Sequence, residues 1–327
     1  MVLQGDSNEK ITKMVISSVL ATVLMTACSQ SSQNGQSDVK HIGILQYVEH
    51  PSLTATRKGF IKELAKEGYK DGKNIKIEYK NAQGDQSNIQ SISEKLIKDN
   101  KLVLGIATPA AQSLTTVSTE TPILFTAVTD PVSAELVKSM KKPEGLATGT
   151  SDMSPIKKQV SLLRKVMPKV KCVGIMYTTS ERNSEVQVKQ AKKIFQEAGI
   201  KTSVKGISST NDVQDTAKSL MSKTEVIFVP TDNIIASSVT LLGNLSKELK
   251  VPVVGGSADM VPSGLLFSYG ADYEALGRQT ARQAVKILKG KDVAKVPSEY
   301  PQNLKVVVNE DMAKELGIDV SSIKNNK

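Results

Sequence analysis

Short apolar, β-branched runs alternate along this 327-residue chain with longer stretches whose apolar residues recur every three or four positions. That alternation is the pattern of parallel strands joined by crossover helices, and it excludes most other architectures. Residues 41–47 (HIGILQY), 75–79, 102–107 (LVLGIA) and 122–126 (PILFT) read as strands. The last two are unbroken apolar runs, as a sheet covered on both faces requires. Between them 52–68 and 88–100 read as helices, with Leu53, Phe60, Ile61 and Leu64 on one face of the first and Ile89, Ile92, Leu96 and Ile97 on one face of the second. A connecting stretch, 145–155, and a basic amphipathic helix, 156–166, precede a restart of the same pattern. Strands then fall at 172–176, 202–204, 226–229, 252–254 and 265–267, helices at 181–198, 213–221 and 234–249, and a long helix at 273–288 leads to a late strand at 304–308. The expectation is α/β: two doubly wound parallel-sheet lobes of ordinary domain size.

The first residues stand apart from that pattern. Lys10 and Lys13 precede a charge-free run, 14–27, which is shorter than the roughly 20 apolar residues a membrane-spanning helix needs and suits the core of a secretory signal. Residues 24–28 (LMTAC) resemble a bacterial lipobox, in which the cysteine is acylated and becomes the first mature residue; Met25 stands where leucine is more usual. The tract 29–38 (SQSSQNGQSD) has nothing to bury and reads as a flexible tether. The expected division is a signal peptide over 1–27 and a lipid-anchored tether over 28–39, with Cys28 as the lipidation site and an extracytoplasmic, membrane-anchored location. Cys172, alone in an apolar run, reads as a packed, inert residue.

Composition narrows the function. The net charge is +10, but the lysines are not interleaved with stacking aromatics, so nucleic acid is not an expected partner. The nucleotide-binding, hydrolase and zinc-protease motifs are missing, and only His41 and His50 are present, so neither catalysis, nor a cofactor, nor a metal is expected. A binding function without chemistry remains.

In doubly wound sheets, ligands sit beyond the carboxyl ends of the strands, where loops and helix N-termini converge. Five post-strand loops therefore supply the candidate site: Thr108 and Pro109, Thr126 and Ala127, Tyr177 to Asn183, Thr231 and Asp232, and Ser257 to Asp259. Thr108 opens a helix and can hold an anion there, or serve only as a cap with Pro109 behind it. Asp232 and Asp259 are candidate partners for a ligand ammonium, and equally ordinary cap residues. Tyr47 and Tyr177, each at the end of its lobe's first strand, would face one another across the cleft and flank a flat side chain, or equally each cap its own lobe's core.

The lipobox, GILQYVEHP, TPAAQ, FTAVTDP, VPTDN, GGSADMV and YGADYEALGRQTARQAVKILKGKD resemble, in their order and spacing, the solute-binding lipoproteins of ABC transporters, in the branch associated with tryptophan and related amino acids. The resemblance spans the whole mature chain. It implies a hinged, type I periplasmic-binding-protein-like fold whose chain crosses between lobes three times, with an N-terminal lobe of 40–153 plus about 269–290 and a C-terminal lobe of 154–268 plus about 291–327. It further implies a monomer that closes on an aromatic amino acid, tryptophan first, and delivers it to permease transmembrane subunits driven by a cytoplasmic ATPase. The readings to set against it are a receptor for a branched-chain amino acid, nucleoside or sugar, and a ligand-sensing regulator of the same fold.

Overall fold

The computed structural model describes residues 39–324; the signal-like run, Cys28 and the polar tract lie outside the described residues. The first sheet contains β1 (Lys40–Gln46), β2 (Ile75–Asn81), β3 (Leu102–Ile106), β4 (Ile123–Val128) and β5 (Ala147–Ser151), all parallel, in the order β2-β1-β3-β4-β5. Its helices are α1 (Pro51–Lys66), α2 (Gln86–Asp99) and α3 (Thr108–Val117). The second sheet contains β6 (Cys172–Thr178), β7 (Lys201–Ile207), β8 (Val226–Val229), β9 (Val253–Gly255), β10 (Phe267–Ala271) and β11 (Leu304–Val308), in the order β11-β10-β9-β8-β6-β7. Only β11 runs antiparallel, against β10. Its helices are α4 (Ile156–Val166), α5 (Arg182–Glu197), α6 (Val213–Met221), α7 (Asn233–Ser237) and α8 (Val239–Leu249). The buried runs Leu102–Ile106 and Val226–Val229 are apolar throughout because helices cover both faces of each sheet.

Strand order reverses between β1 and β3 in one sheet and between β6 and β8 in the other. Those are the switch points at which adjacent loops diverge and leave a crevice.

Three segments join the lobes. The first follows β5. The second is Asp272, whose side chain caps α9 (Tyr273–Leu288) by accepting from the Ala275 amide at 3.0 Å. The third lies near residue 300, where the Ser151 amide donates to the Glu299 carbonyl at 2.9 Å and the Asp272 amide to the Asn303 carbonyl at 3.1 Å. Helix α9 lies against α1 of the first lobe, and the approach depends on two glycines: a Cβ on Gly277 would sit 1.9 Å from the Thr56 carbonyl oxygen, and one on Gly59 2.2 Å from that of Glu274. Glu63, buried on α1, accepts from Arg278 and Arg282 of α9 at 3.2 and 3.1 Å and fixes the register of the pair. By sheet membership the second lobe keeps β10 as far as Ala271, and residues 293–298 stay beside β5, where Thr148 Oγ1 donates to the Val296 carbonyl at 2.6 Å.

Two local features differ from the pattern expectation. The stretch 145–155 contains a strand, β5, whose inward threonines are satisfied by hydroxyl bonds: Thr150 Oγ1 lies 3.0 Å from Thr126 Oγ1 and 2.6 Å from Thr280 Oγ1. The helix expected over 234–249 breaks at Ser238, in the Ser237–Thr240 stretch of hydroxyl and β-branched residues that are poor helix formers.

Candidate ligand-binding site

On the first-lobe wall the backbone itself is unusual. Ala107, just after β3, has φ 84°, and Ala127, at a register shift near the end of β4, has φ 55°. A non-glycine residue there carries strain of order 1–3 kcal/mol, which persists only where the surroundings impose it and is concentrated at ligand sites. Ala107 leads into the N-terminus of α3. Thr108, 2% exposed, has a hydroxyl without a hydrogen-bond partner in that first turn, where free amides and the helix dipole favour an anion.

The second-lobe wall carries buried acid. Glu181, fully buried between β6 and α5, accepts from Asn183 Nδ2 at 2.8 Å, Asn233 Nδ2 at 2.6 Å, and the amides of Asn233 and Ile234, each at 3.1 Å. Each of these donors is neutral, and none of the ion pairs among the described residues includes Glu181. Burial, followed by the negative charge of Asp232, pushes its carboxyl well above the usual range. Asp232 caps α7 through the Ile235 amide at 3.0 Å and accepts from the Thr178 amide, the Thr178 hydroxyl and the Ser184 hydroxyl at 2.6, 2.7 and 2.7 Å, so both of its oxygens are occupied. Asn183 donates to Glu181 and to the Thr231 carbonyl, leaving its Oδ1, which is buried, without a partner.

The lobes meet around these groups. His50 Nε2 lies 3.3 Å from Asn233 Oδ1, and the hydroxyls of Ser52 and Ser257 are 2.7 Å apart. Tyr47 is buried, donates to the Gly84 carbonyl at 3.2 Å, and has its phenol pushed up by burial and then by Glu181, whose field therefore reaches the first lobe. Towards the hinge a cavity of about 10 Å³, room for one water, is lined by His50, Asp152, Asp232, Ser257 and Tyr273. Asp152 accepts from the Tyr273 hydroxyl at 2.6 Å, while its other oxygen and His50 Nδ1 have no partner.

Tyr47, Thr108, Pro109, Ala127, Asn183, Thr231, Asp232 and Ser257 are thus gathered on the loops and helix starts that border the interlobe region. Two expected residues, Thr126 and Tyr177, pack within their own lobes. The Thr126 hydroxyl turns inward to Thr150 of its own lobe. Asp259 sits on the short turn Ala258–Ser263, which packs against α1 of the first lobe; burial raises its carboxyl, and its buried Oδ2 has no partner. Tyr177 is half-buried against the second-lobe core, beside Gly206 of the neighbouring strand. Glu181 lies within the expected loop 177–183 and Asn233 directly follows Asp232, yet residue type alone singles out neither, nor His50. The available signal was that Glu181 occupies a helix N-cap, a position where Ser, Thr, Asp or Asn is preferred, without capping its own helix.

Burial holds the His50 imidazole down to about 4, so it is neutral at pH 7. A base with a depressed folded pKa supports the closed structure above its ordinary value of 6.5, and that support is lost as pH falls from there towards 4. His50→Gln is expected to flatten this part of the pH dependence: over that window its melting temperature should fall less than that of the unsubstituted protein in scanning calorimetry.

The family model for ABC transporter substrate binding protein matches residues 41–323. The chain belongs to this family. The substrate-binding protein is 41% identical over 330 residues to a tyrosine-binding protein of Clostridioides difficile, with 98% of this chain and 96% of the relative covered. Its fold matches the structure of an ABC domain in complex with L-Trp from Streptococcus pneumonia, with 40% identity and a TM-score of 0.84 over 87% of this chain and 97% of the other. It also matches the ligand-free, open structure of CD0873 from Clostridium difficile, a substrate binding protein with adhesive properties; identity there is higher, 44% over 88% of this chain and 98% of the other, yet the TM-score is only 0.67. The lower overlap at higher identity, together with the His50–Asn233 and Ser52–Ser257 contacts, describes a substrate-binding protein with its lobes closed.

Proposed function

We propose that this protein captures an aromatic L-amino acid between its lobes outside the cytoplasm and presents the closed complex to an ABC permease, without chemistry on the ligand. The observation that carries the reading is Glu181, a buried carboxylate at the interlobe wall whose hydrogen-bond partners are all neutral. A buried charge is stable when paired, and the ammonium of an amino acid supplies the missing cation. On the opposite wall the first turn of α3 and the Thr108 hydroxyl receive the ligand carboxylate, and Asn183 Oδ1 accepts a further ammonium proton. Asp232 acts through its bonds to Thr178 and Ser184, holding the loop that carries Glu181, and Tyr47 contributes the aromatic wall of the first lobe. The bound zwitterion touches both lobes, so binding shifts the population towards the closed form that a permease recognises.

The ligands of two relatives, tyrosine and L-Trp, support the aromatic class. The charged start, the apolar run and the lipobox-like LMTAC support export with acylation at Cys28, and no helix among the described residues is long and apolar enough to cross a membrane. Calorimetric titration tests the ligand class: L-tryptophan is expected to bind at least about tenfold more tightly than L-leucine, with L-tyrosine and L-phenylalanine as further ligands. Equal affinity for leucine, or no binding of any of the three aromatic amino acids, contradicts the reading.

A further inference from the structure

We infer that the outer face of α4 and α5 is a membrane-adsorbing surface for anionic phospholipid. The net charge of +10 is not spread evenly: residues 156–207 hold twelve lysines and arginines against three acids, Glu181, Glu185 and Glu197. One of those acids is buried at the ligand site, so the exposed imbalance is greater still. Helices α4 and α5 pack side by side on one face of the second sheet, and β7, the edge strand beside them, adds Lys201 and Lys205. Arg182 and Lys189 share Glu185 at 2.9 and 2.7 Å, but Lys157, Arg164, Lys192 and Lys193 are exposed and have no carboxylate partner among the described residues. A groove of about 510 Å³ between the helices is lined by Lys157, Arg164, Pro168 and Ile194.

The chemistry of this face selects its partner. Ten of the twelve basic residues are lysines, compact charges on flexible stems that suit a diffuse anionic surface, where bidentate recognition of single phosphates favours arginine. The large exposed apolar residues of the described chain, Val39, Val132, Leu249 and Tyr300, all lie elsewhere, so the face has no wedge for insertion and no stacking platform for nucleic acid bases. What remains is electrostatic adsorption, at about 1 kcal/mol per lysine near an anionic leaflet. This rests on the proposed extracytoplasmic, membrane-associated setting, and it is measured independently of the ligand.

The test uses the chain from Val39 onward, which carries both complete lobes, sedimented with phosphatidylcholine vesicles with or without phosphatidylglycerol. Binding is expected only with phosphatidylglycerol, and raised salt should abolish it. The substitutions Lys157→Glu, Lys192→Glu and Lys193→Glu together should weaken it about tenfold or more. The equal charge change Lys76→Glu, Lys98→Glu and Lys101→Glu on the first lobe should weaken it less than about threefold. Calorimetric affinity for the amino acid should be unchanged in both variants. No phosphatidylglycerol-dependent binding, equal losses in the two variants, or capture of soluble dextran sulfate without capture of vesicles overturns the inference.

Discussion

Glu181→Gln is expected to lower the affinity for aromatic amino acids by about 100-fold or more, with a much smaller loss of stability in the empty protein. The two effects separate because the carboxyl has different roles with and without ligand. In the empty closed site, burial and Asp232 hold Glu181 towards its neutral form. Glutamine keeps one oxygen for the amides of Asn233 and Ile234, but its Nε2 then faces the Asn183 and Asn233 side-chain amides, whose two bonds to the other oxygen are lost. With ligand bound, the ionised carboxylate faces an ammonium in a desolvated cleft. Removing one member of such a pair costs about 3–5 kcal/mol, which is more than two decades in affinity. Paired calorimetric titrations and thermal scans check both halves. Asp232→Asn should behave differently: Asp232 caps α7 through the Ile235 amide and ties the ends of β6 and α5 together through Thr178 and Ser184, so its loss lowers the stability of the empty protein.

Ligand binding should also release a proton. A carboxyl whose folded pKa is raised adds stability at low pH, and that contribution is lost as pH rises above the ordinary glutamate value of 4.5. The ligand ammonium reverses the shift by favouring the ionised form. Binding then ejects the proton that the empty protein held, and affinity climbs with pH by up to about tenfold per unit across the window in which empty Glu181 is protonated. Titrations at one pH in buffers of different ionisation enthalpy should give heats that differ in proportion to that proton, and Glu181→Gln should abolish the difference. Heats independent of the buffer in the unsubstituted protein would show that Glu181 is already ionised before the ligand arrives.

The strands legible in the sequence are those whose burial on both faces demands an unbroken apolar run, such as LVLGI and VIFV. β5, with the sequence ATGTS, is equally buried but carries its core contacts through hydroxyl pairs, so hydropathy gives it no signal. β10 was legible only at Phe267, because Ser268 and Gly270 interrupt the run. The site divides in the same way. Thr108 and Asn183 follow directly from the rule that ligands gather past strand ends, and both carry unpartnered buried atoms. Glu181 did not follow, because its importance lies in an environment assembled from residues 52 and 53 positions away, Asn233 and Ile234, and in hydrogen-bond partners that are all neutral. Tyr47 and Tyr177 end equivalent strands of the two sheets, and each packs against a core cluster of its own.

The central claim is that the ligand ammonium is held by Glu181 between closed lobes, and a crystal structure of the complex with L-tryptophan tests it most directly. The expected result is a ligand nitrogen within about 3.2 Å of a Glu181 oxygen and a ligand carboxylate on the first turn of α3 at Thr108. A ligand seated in the cleft with its ammonium on another group, and Glu181 still bonded only to Asn183, Asn233 and Ile234, would contradict it.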